Sequence, residues 1–181
     1  MKRFMLDFET LGSGQNACVI QIGCMSFDGK DQYKCNVEIS DSLKNGAQVA
    51  GDTLYWWFSQ SPEAIASVIK EPHVTEREAF TALNTMLARA DEVWSHSTFD
   101  FVTLQETLRS LGIKSQVGYR TSRDIRTLIG LVKVIKPDYV TDAKREGIHH
   151  DALDDCKYQI GYCIEALKIL GVKVPQLHSF T

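Results

Sequence analysis

The stretch FMLDFET, residues 4–10, constrains this chain most, because it joins a buried-strand pattern to two acids. Side chains alternate between the faces of a strand, so Asp7 and Glu9 point the same way. Two like charges that close need a cation between them, or one must keep its proton. The opposite face carries Phe4, Leu6 and Phe8. We expect a core strand with an acidic site; the alternative is a pair of solvated acids on an edge strand.

The composition fits one domain spanning residues 1–181. A net charge of −3 excludes a protein that grips nucleic acid by bulk positive charge, so polyanion binding must use local patches or bound metal. The five cysteines form no C-x-x-C pair, which favours reduced thiols in the core. The start MKRFMLDF lacks the apolar run of a signal peptide, and no stretch is apolar enough to span a membrane. We therefore expect a cytoplasmic protein without membrane contact.

The order of the predicted elements indicates an α/β fold. Three apolar or alternating segments separated by turn residues predict an antiparallel meander over residues 3–8, 18–28 and 33–39. A short buried strand is predicted over 91–97, and a strand end that turns into a helix over 119–135. Helices are predicted over about 52–72, 75–90, 98–111 and 151–170. Strands first, then helices alternating with strands, predict a sheet with an antiparallel and a parallel side.

A third acid, Asp100, shares a helical stripe with three leucines, Leu104, Leu108 and Leu111. The stripe is apolar, so the carboxylate faces inward, where an unpaired charge is costly. A metal ion that also meets Asp7 explains this placement. The alternative is a capping box, with Ser97 as the N-cap and Asp100 in the first turn.

The last helix begins at HHDALDDCKYQ, residues 149–159. Positions five apart on a helix differ by about 140° around its axis, so His150 and Asp155 cannot share a face if both are helical. His150 is therefore placed in the preceding loop, as a general base beside a metal requires. His149 paired with Asp154 is the rival arrangement. The alternatives are a surface-loop histidine and an acidic helix start that satisfies the helix dipole.

Together, the D-x-E strand, the inward aspartate and the H-x-A-x-x-D helix start resemble the DnaQ-like 3′→5′ exonucleases of the DEDDh type. The segments VWSHSTFD and YRTSRDIRTL are most similar to the phage-type and RNase T-like branch. The resemblance implies an RNase H-like α/β fold, with a mixed sheet of five to six strands flanked by helices. It also implies two divalent cations, Mg²⁺ or Mn²⁺, and a histidine, His150, that activates water. The implied metal ligands are Asp7, Glu9, Asp100 and Asp155.

The substrate-binding candidates lie near these acids or on a basic stretch. The resemblance places Thr10 and Leu11 against the terminal nucleotide, and Gly12 lets a strand approach. Trp57, with its neighbours Trp56 and Phe58, and Phe101 are candidate base contacts, because aromatic rings stack on bases of any sequence. Core packing is the alternative for at least one of the three neighbouring rings. Some residues of a basic stretch are candidate phosphate contacts, and of these we select Arg120 and Arg123. The stretch contains Arg120, Arg123 and Arg126, which recur every three residues, followed by Lys133, Lys136, Lys144 and Arg145. An ordinary solvated face is the alternative for the arginines.

The predicted activity is metal-dependent 3′→5′ release of nucleoside 5′-monophosphates from single strands, with DNA slightly preferred to RNA. The alternatives are an RNase T-like exoribonuclease acting on RNA 3′ ends, an RNase H-type endonuclease, and a non-catalytic, metal-stabilised interaction module. The expected partner is a single-stranded DNA or RNA 3′ end. Relatives that dimerise make a homodimer a further expectation. A phage-encoded protein would work in the host cytoplasm.

Overall fold

A central strand, β1 (Arg3–Thr10), organises the sheet in a computed structural model that describes residues 1–174. It pairs antiparallel with β2 (Val19–Ser26), which pairs antiparallel with β3 (Gln32–Val37). The register places Asp7 opposite Gly23 and Glu9 opposite Gln21. The predicted meander is therefore present, with β1 reaching two residues further than predicted.

The parallel side of the sheet is built from shorter strands. On the other side of β1 lie β5 (Glu92–Ser95) and then β6 (Ser122–Asp124), both parallel to their neighbours. The short strand β4 (His73–Val74) pairs parallel with β3. The sheet order is β4-β3-β2-β1-β5-β6. The predicted mixed sheet of five to six strands is confirmed, with six strands among residues 1–174.

The helices follow the predicted order, with one division and one addition. Residues 52–72 form two helices rather than one, because Ser59 ends the first and Ser61 caps the second before Pro62. A short helix after β3 was not predicted, and its N-cap, Glu38, ends that strand before residue 39. The helices are α1 (Ile39–Lys44), α2 (Gly51–Phe58), α3 (Pro62–Ile69), α4 (Glu76–Leu87), α5 (Thr98–Ser110), α6 (Ile125–Ile135) and α7 (Ala152–Ile169).

The alternation of β1 divides the core between the two faces of the sheet. Phe4, Leu6 and Phe8 pack with residues of α4 and α5, including Phe80 and Leu104. Met5, on the other face, packs with residues of α6 and α7. Because side chains two residues apart share a face, the acids of β1 lie on the α7 side. A third cluster joins the start of β2 to α2 and α3.

The start of α7 rests directly on the sheet at Gly23. A Cβ at this position would collide with the backbone of Ala152, so the close approach requires glycine. Beside it, the buried amide of Gln21 accepts the Ala152 N–H at 2.7 Å and donates to Asn36 Oδ1 at 2.8 Å. The N-cap of α7, Asp151, is also paired with Lys34 of β3. These contacts set the height and direction of α7 over β1 and β2.

Within residues 1–174, we find no helix with the length and apolar character that crossing a bilayer requires.

We predict that Gly23→Ala destabilises the chain, because the added methyl group must push the start of α7 away from the sheet. Overpacking of this kind costs about 1–3 kcal/mol. Urea denaturation followed by circular dichroism measures the change in the free energy of unfolding.

The matched control is Gly130→Ala. Gly130 lies inside α6, where an added Cβ meets nothing within 4 Å, so alanine is expected to stabilise the helix by roughly 0.5–1 kcal/mol. Equal stability of Gly23→Ala and the unsubstituted chain would show that α7 does not need this close approach.

Candidate active site

Three carboxylates meet where β1 ends beneath the first turn of α7. Asp7 and Glu9 come from β1, and Asp155 comes from α7. Each offers one oxygen atom, and these atoms all lie within 4.8 Å of one another. Glu9 and Asp155 are buried, and Asp7 is partly buried. The structure thus brings together three of the four acids predicted as metal ligands.

The fourth acid, Asp100, lies behind this group on the first turn of α5. Its side chain is buried, and Oδ1 accepts the Phe8 N–H at 3.0 Å. Ser97 caps α5 by accepting the Phe99 N–H. The capping-box alternative for Asp100 is therefore wrong, because its carboxylate is turned toward β1.

Burial and mutual repulsion favour protons on these acids. Burial raises the pKa of Asp7 well above its usual value, and the charges of Asp100 and Asp155 add to the rise. Burial, followed by the charges of Asp7 and Asp155, raises the pKa of Glu9 in the same way. Burial raises the pKa of Asp100 to about 7. A cluster of this kind gains from any cation that replaces its protons.

His150 lies in the loop just before α7, where the spacing predicts it. Its backbone has a φ of 65°, in the left-handed region that non-glycine residues rarely adopt. Its Nδ1 lies 3.9 Å from Glu9 Oε1. Its ring contacts Trp56 edge-on, with 4.8 Å between the ring centres. Burial lowers the pKa of His150, which leaves the imidazole neutral and able to accept a proton near pH 7.

The rival histidine, His149, is also near the cluster. Its ring stacks on that of His150, with 3.8 Å between the ring centres. Both histidines offer a nitrogen within 4.8 Å of an Asp155 oxygen. Its predicted partner, Asp154, instead accepts from Lys157 and from the Ile148 N–H. The structure therefore places both histidines beside Asp155, and His150 also lies near Glu9.

Two functional candidates lie outside the selected site residues. Gln159 lies one turn after Asp155 on α7 and donates from Nε2 to Asp7 Oδ1 at 2.7 Å. Its spacing of four residues from Asp155 was the signal that could have found it. Arg145, one of the basic residues considered for phosphate contact but not selected, is paired with the Asp155 carboxylate.

The chain after β1 is held by a tryptophan rather than open to bases. Trp57 is 4 % exposed, and its indole N–H donates to the Thr10 carbonyl at 2.8 Å. Trp57 therefore has the core position that was the alternative for at least one ring of its trio, whereas Trp56 remains exposed beside His150. Leu11 is buried next to Trp57, and the Thr10 hydroxyl donates to the Gly12 carbonyl.

The two selected arginines lie toward the other end of the sheet. Arg123 reaches Glu92 at the start of β5, 3.3 Å away, and donates to the Arg120 carbonyl. Arg120 precedes β6 and lies over the ring of Tyr119. Both arginines thus lie toward the end of the sheet where β5 and β6 begin, and their contact with phosphate stays a prediction. Phe101 is partly buried against the core on the α5 side of the sheet.

A cleft of about 640 Å³ opens from the carboxylates toward α6 and the loop before α7. Its walls combine tyrosines with the charged and imidazole groups of the site. Beyond the acids and histidines, they include Lys133, Tyr139, Thr141, Arg145, Tyr158 and Tyr162. The cleft is large enough for a nucleotide-sized ligand.

The known proteins that this chain resembles in sequence and in structure are nucleases. The chain is 26 % identical to the exodeoxyribonuclease of Enterobacteria phage T4 over 197 residues, which covers 87 % of this chain and 85 % of that protein. Exonuclease I from Methylocaldum szegediense superposes with a TM-score of 0.65 at 13 % identity, covering 92 % of this chain but only 40 % of that enzyme. The nuclease domain of 3′hExo, described as a DEDDh family member bound to rAMP, superposes with a TM-score of 0.59 at 12 % identity, covering 98 % and 97 % of the two chains.

The structural likenesses establish the RNase H-like exonuclease fold. Residues 2–167 match the family model described as the 3′-5′ exoribonuclease Rv2179c-like domain. Because this match covers most of the sequence, the chain belongs to the Rv2179c-like family and is a 3′→5′ exonuclease of the DEDDh type.

Proposed function

We propose that this chain is a divalent-cation-dependent exonuclease that releases nucleoside 5′-monophosphates from the 3′ end of single-stranded DNA. The observation that carries the proposal is the convergence of Asp7, Glu9 and Asp155 within 4.8 Å, with Asp100 behind them. The neutral imidazole of His150 at the rim supports it. The extent of the domain, residues 1–181, and the homodimer stay predictions.

The donor set fits hard cations such as Mg²⁺ and Mn²⁺, which choose carboxylate oxygens. Asp7, Glu9 and Asp155 would hold them, with Asp100 as the fourth ligand. Two such cations, when bound, neutralise charge on the phosphate and on the leaving oxygen, and make water easier to deprotonate. The buried acids in turn lose the protons that their mutual repulsion favours.

His150 is the proposed general base. Its lowered pKa keeps it neutral, and the edge contact with Trp56 holds the ring beside Glu9. It takes a proton from the attacking water, a contribution worth about 10²–10⁴-fold in rate. Gln159 donates to one oxygen of Asp7 and so fixes the rotation of that carboxylate.

The segment after β1 is the proposed binding site for the terminal nucleotide. Trp57 fixes the Thr10 carbonyl, so residues 10–12 are held in one position beside Glu9. Gly12 would be crowded by a side chain, because a Cβ would lie 3.1 Å from the Gln48 carbonyl. Trp56, which is exposed and touches His150, supplies the aromatic face for a base.

RNA is the second candidate substrate. The relative that aligns along most of both chains is named an exodeoxyribonuclease, whereas the family description is that of an exoribonuclease. The preference for DNA or RNA depends on whether the site can accommodate the 2′-hydroxyl group of RNA.

The test is digestion of 5′-labelled oligonucleotides of one sequence, as DNA and as RNA, with Mn²⁺ or with EDTA. We predict stepwise shortening from the 3′ end with Mn²⁺ and none with EDTA. Asp155→Asn is expected to abolish release, because it removes a charge from the cation site. The control is Asp138→Asn, an exposed aspartate in the turn after α6, which is expected to retain full activity.

The same assay separates the alternatives. Faster release from DNA supports the proposal, and faster release from RNA makes the RNA candidate the correct one. Cutting of a circular strand would identify an endonuclease. Undiminished release by Asp155→Asn would contradict the proposed site.

We also predict that the acids of the site destabilise the metal-free chain as the pH rises. Asp100 has a pKa of about 7 in the folded chain and about 4 in the unfolded chain. Its protonation therefore contributes fully to stability below about pH 4, and this contribution is lost as the pH rises through 7. Asp100→Asn removes this titration but can still accept the Phe8 N–H.

The melting temperature of both proteins is measured in EDTA from about pH 5 to pH 8. Relative to Asp100→Asn, the unsubstituted chain is expected to lose stability across this window, and Mn²⁺ is expected to restore it most at the higher pH. His96 and His150, whose pKa values burial lowers, act in the opposite direction, but they are present in both proteins. A constant difference between the two proteins would contradict the prediction.

A further inference from the structure

Arg145 occupies the position of a counter-ion at the acidic cluster. Its guanidinium group is paired with the carboxylate of Asp155, one of the three converging acids. The group also lies 4.3 Å from the ring centre of Tyr158, one turn further along α7. The arginine is therefore held between a carboxylate and an aromatic face, at the wall of the cleft.

The loop that carries Arg145 is fastened on both sides of it. On the α6 side, Glu165 Oε2 accepts from the Tyr139 hydroxyl at 3.1 Å, the Thr141 hydroxyl at 2.6 Å and the Asp142 N–H at 3.1 Å. The loop thus reaches α7 two turns or more beyond the acidic cluster before it returns toward the cleft.

On the α7 side, Asp154 Oδ2 accepts the Ile148 N–H at 3.0 Å. Gly147 approaches the same carboxylate with a φ of 79°, and a Cβ there would collide with it. Two carboxylates of α7 therefore fix the loop, and the backbone of Arg145 lies between these anchors.

The charge of Arg145 reaches the other groups of the site. Burial raises the pKa of Asp7, and the nearby guanidinium opposes that rise. Burial lowers the pKa of His150, and the guanidinium contributes to the lowering. A cation at this position acts on the base and on the ligands together.

Resting on the proposed function, we propose that Arg145 competes with the divalent cation for Asp155 and, once displaced, binds a phosphate of the substrate. The two cations cannot share the carboxylate without repelling each other. The planar fork of the guanidinium matches a phosphate as well as it matches a carboxylate. A chain of net charge −3 needs such a local cation to hold a polyanion.

The first test is titration calorimetry of the metal-free full chain with Mn²⁺ alone. Arg145→Gln is expected to bind Mn²⁺ roughly threefold to tenfold more tightly than the unsubstituted chain, the scale of one partly exposed ion pair. The matched control is Arg109→Gln, which removes an arginine paired with Glu106 toward the end of α5 distant from Asp100. Its affinity for Mn²⁺ is expected to stay within about twofold of the original.

The second test is the affinity for dAMP and for AMP at saturating Mn²⁺. Arg145→Gln is expected to weaken the binding of the preferred nucleotide about tenfold, the effect of losing a charged hydrogen-bond pair. Arg145→Lys is expected to leave the affinity for Mn²⁺ nearly unchanged, because it keeps the charge. It is expected to weaken nucleotide binding, because it lacks the guanidinium fork.

Weaker or unchanged Mn²⁺ binding by Arg145→Gln would overturn the competition, and unchanged nucleotide binding would overturn the transfer to phosphate. Asp155→Asn separates these failures from a failure of the proposed function. Mn²⁺ binding that is lost in Asp155→Asn supports the cation site whatever Arg145 does. Absence of Mn²⁺ binding in the unsubstituted chain would overturn the site and the role of Arg145 together.

Discussion

Repulsion among buried carboxylates is the constraint on which the rest of the site depends. Asp7, Glu9 and Asp155 place oxygen atoms within 4.8 Å of one another, and Asp100 lies behind them. Such a cluster is tolerated only where protons, hydrogen-bond donors or cations offset the charge. The chain supplies donors from the Phe8 backbone and Gln159, and a cation from Arg145. Each is a feature that a divalent cation would complement or displace.

The fold meets this constraint by bringing distant segments to one end of β1. The acids of β1 share a face by alternation, but Asp155 reaches them only because α7 lies close to the sheet. Gly23 permits that approach, and Gln21 fixes it through the Ala152 N–H. The stability of the sheet and the geometry of the acidic cluster therefore depend on the same contact.

The features that followed from local pattern were predictable from the sequence. Alternation in β1 predicted the shared face of Asp7 and Glu9, and helical spacing predicted that Asp100 faces inward and that His150 precedes α7. The division of residues 52–72 is marked by Ser61 and Pro62, which suit an N-cap and the first turn of a second helix.

The features that depend on tertiary contacts were not predictable in this way. The burial of Trp57 follows from its hydrogen bond to Thr10, which no local pattern encodes. The three-residue spacing of the arginines carried no information about the end of the sheet that they face. Arg123 pairs with Glu92, which lies 31 positions earlier in the sequence. Arg145 is positioned by the hydrogen bonds that anchor its loop to α7.

The central claim is that these carboxylates form a cation site, and anomalous X-ray diffraction from crystals grown with Mn²⁺ tests it most directly. We predict two anomalous peaks contacted by oxygen atoms of Asp7, Glu9 and Asp155, with Asp100 as the fourth acid. We also predict that the Arg145 guanidinium leaves Asp155. Crystals saturated with Mn²⁺ that show no peak among these acids would contradict the account.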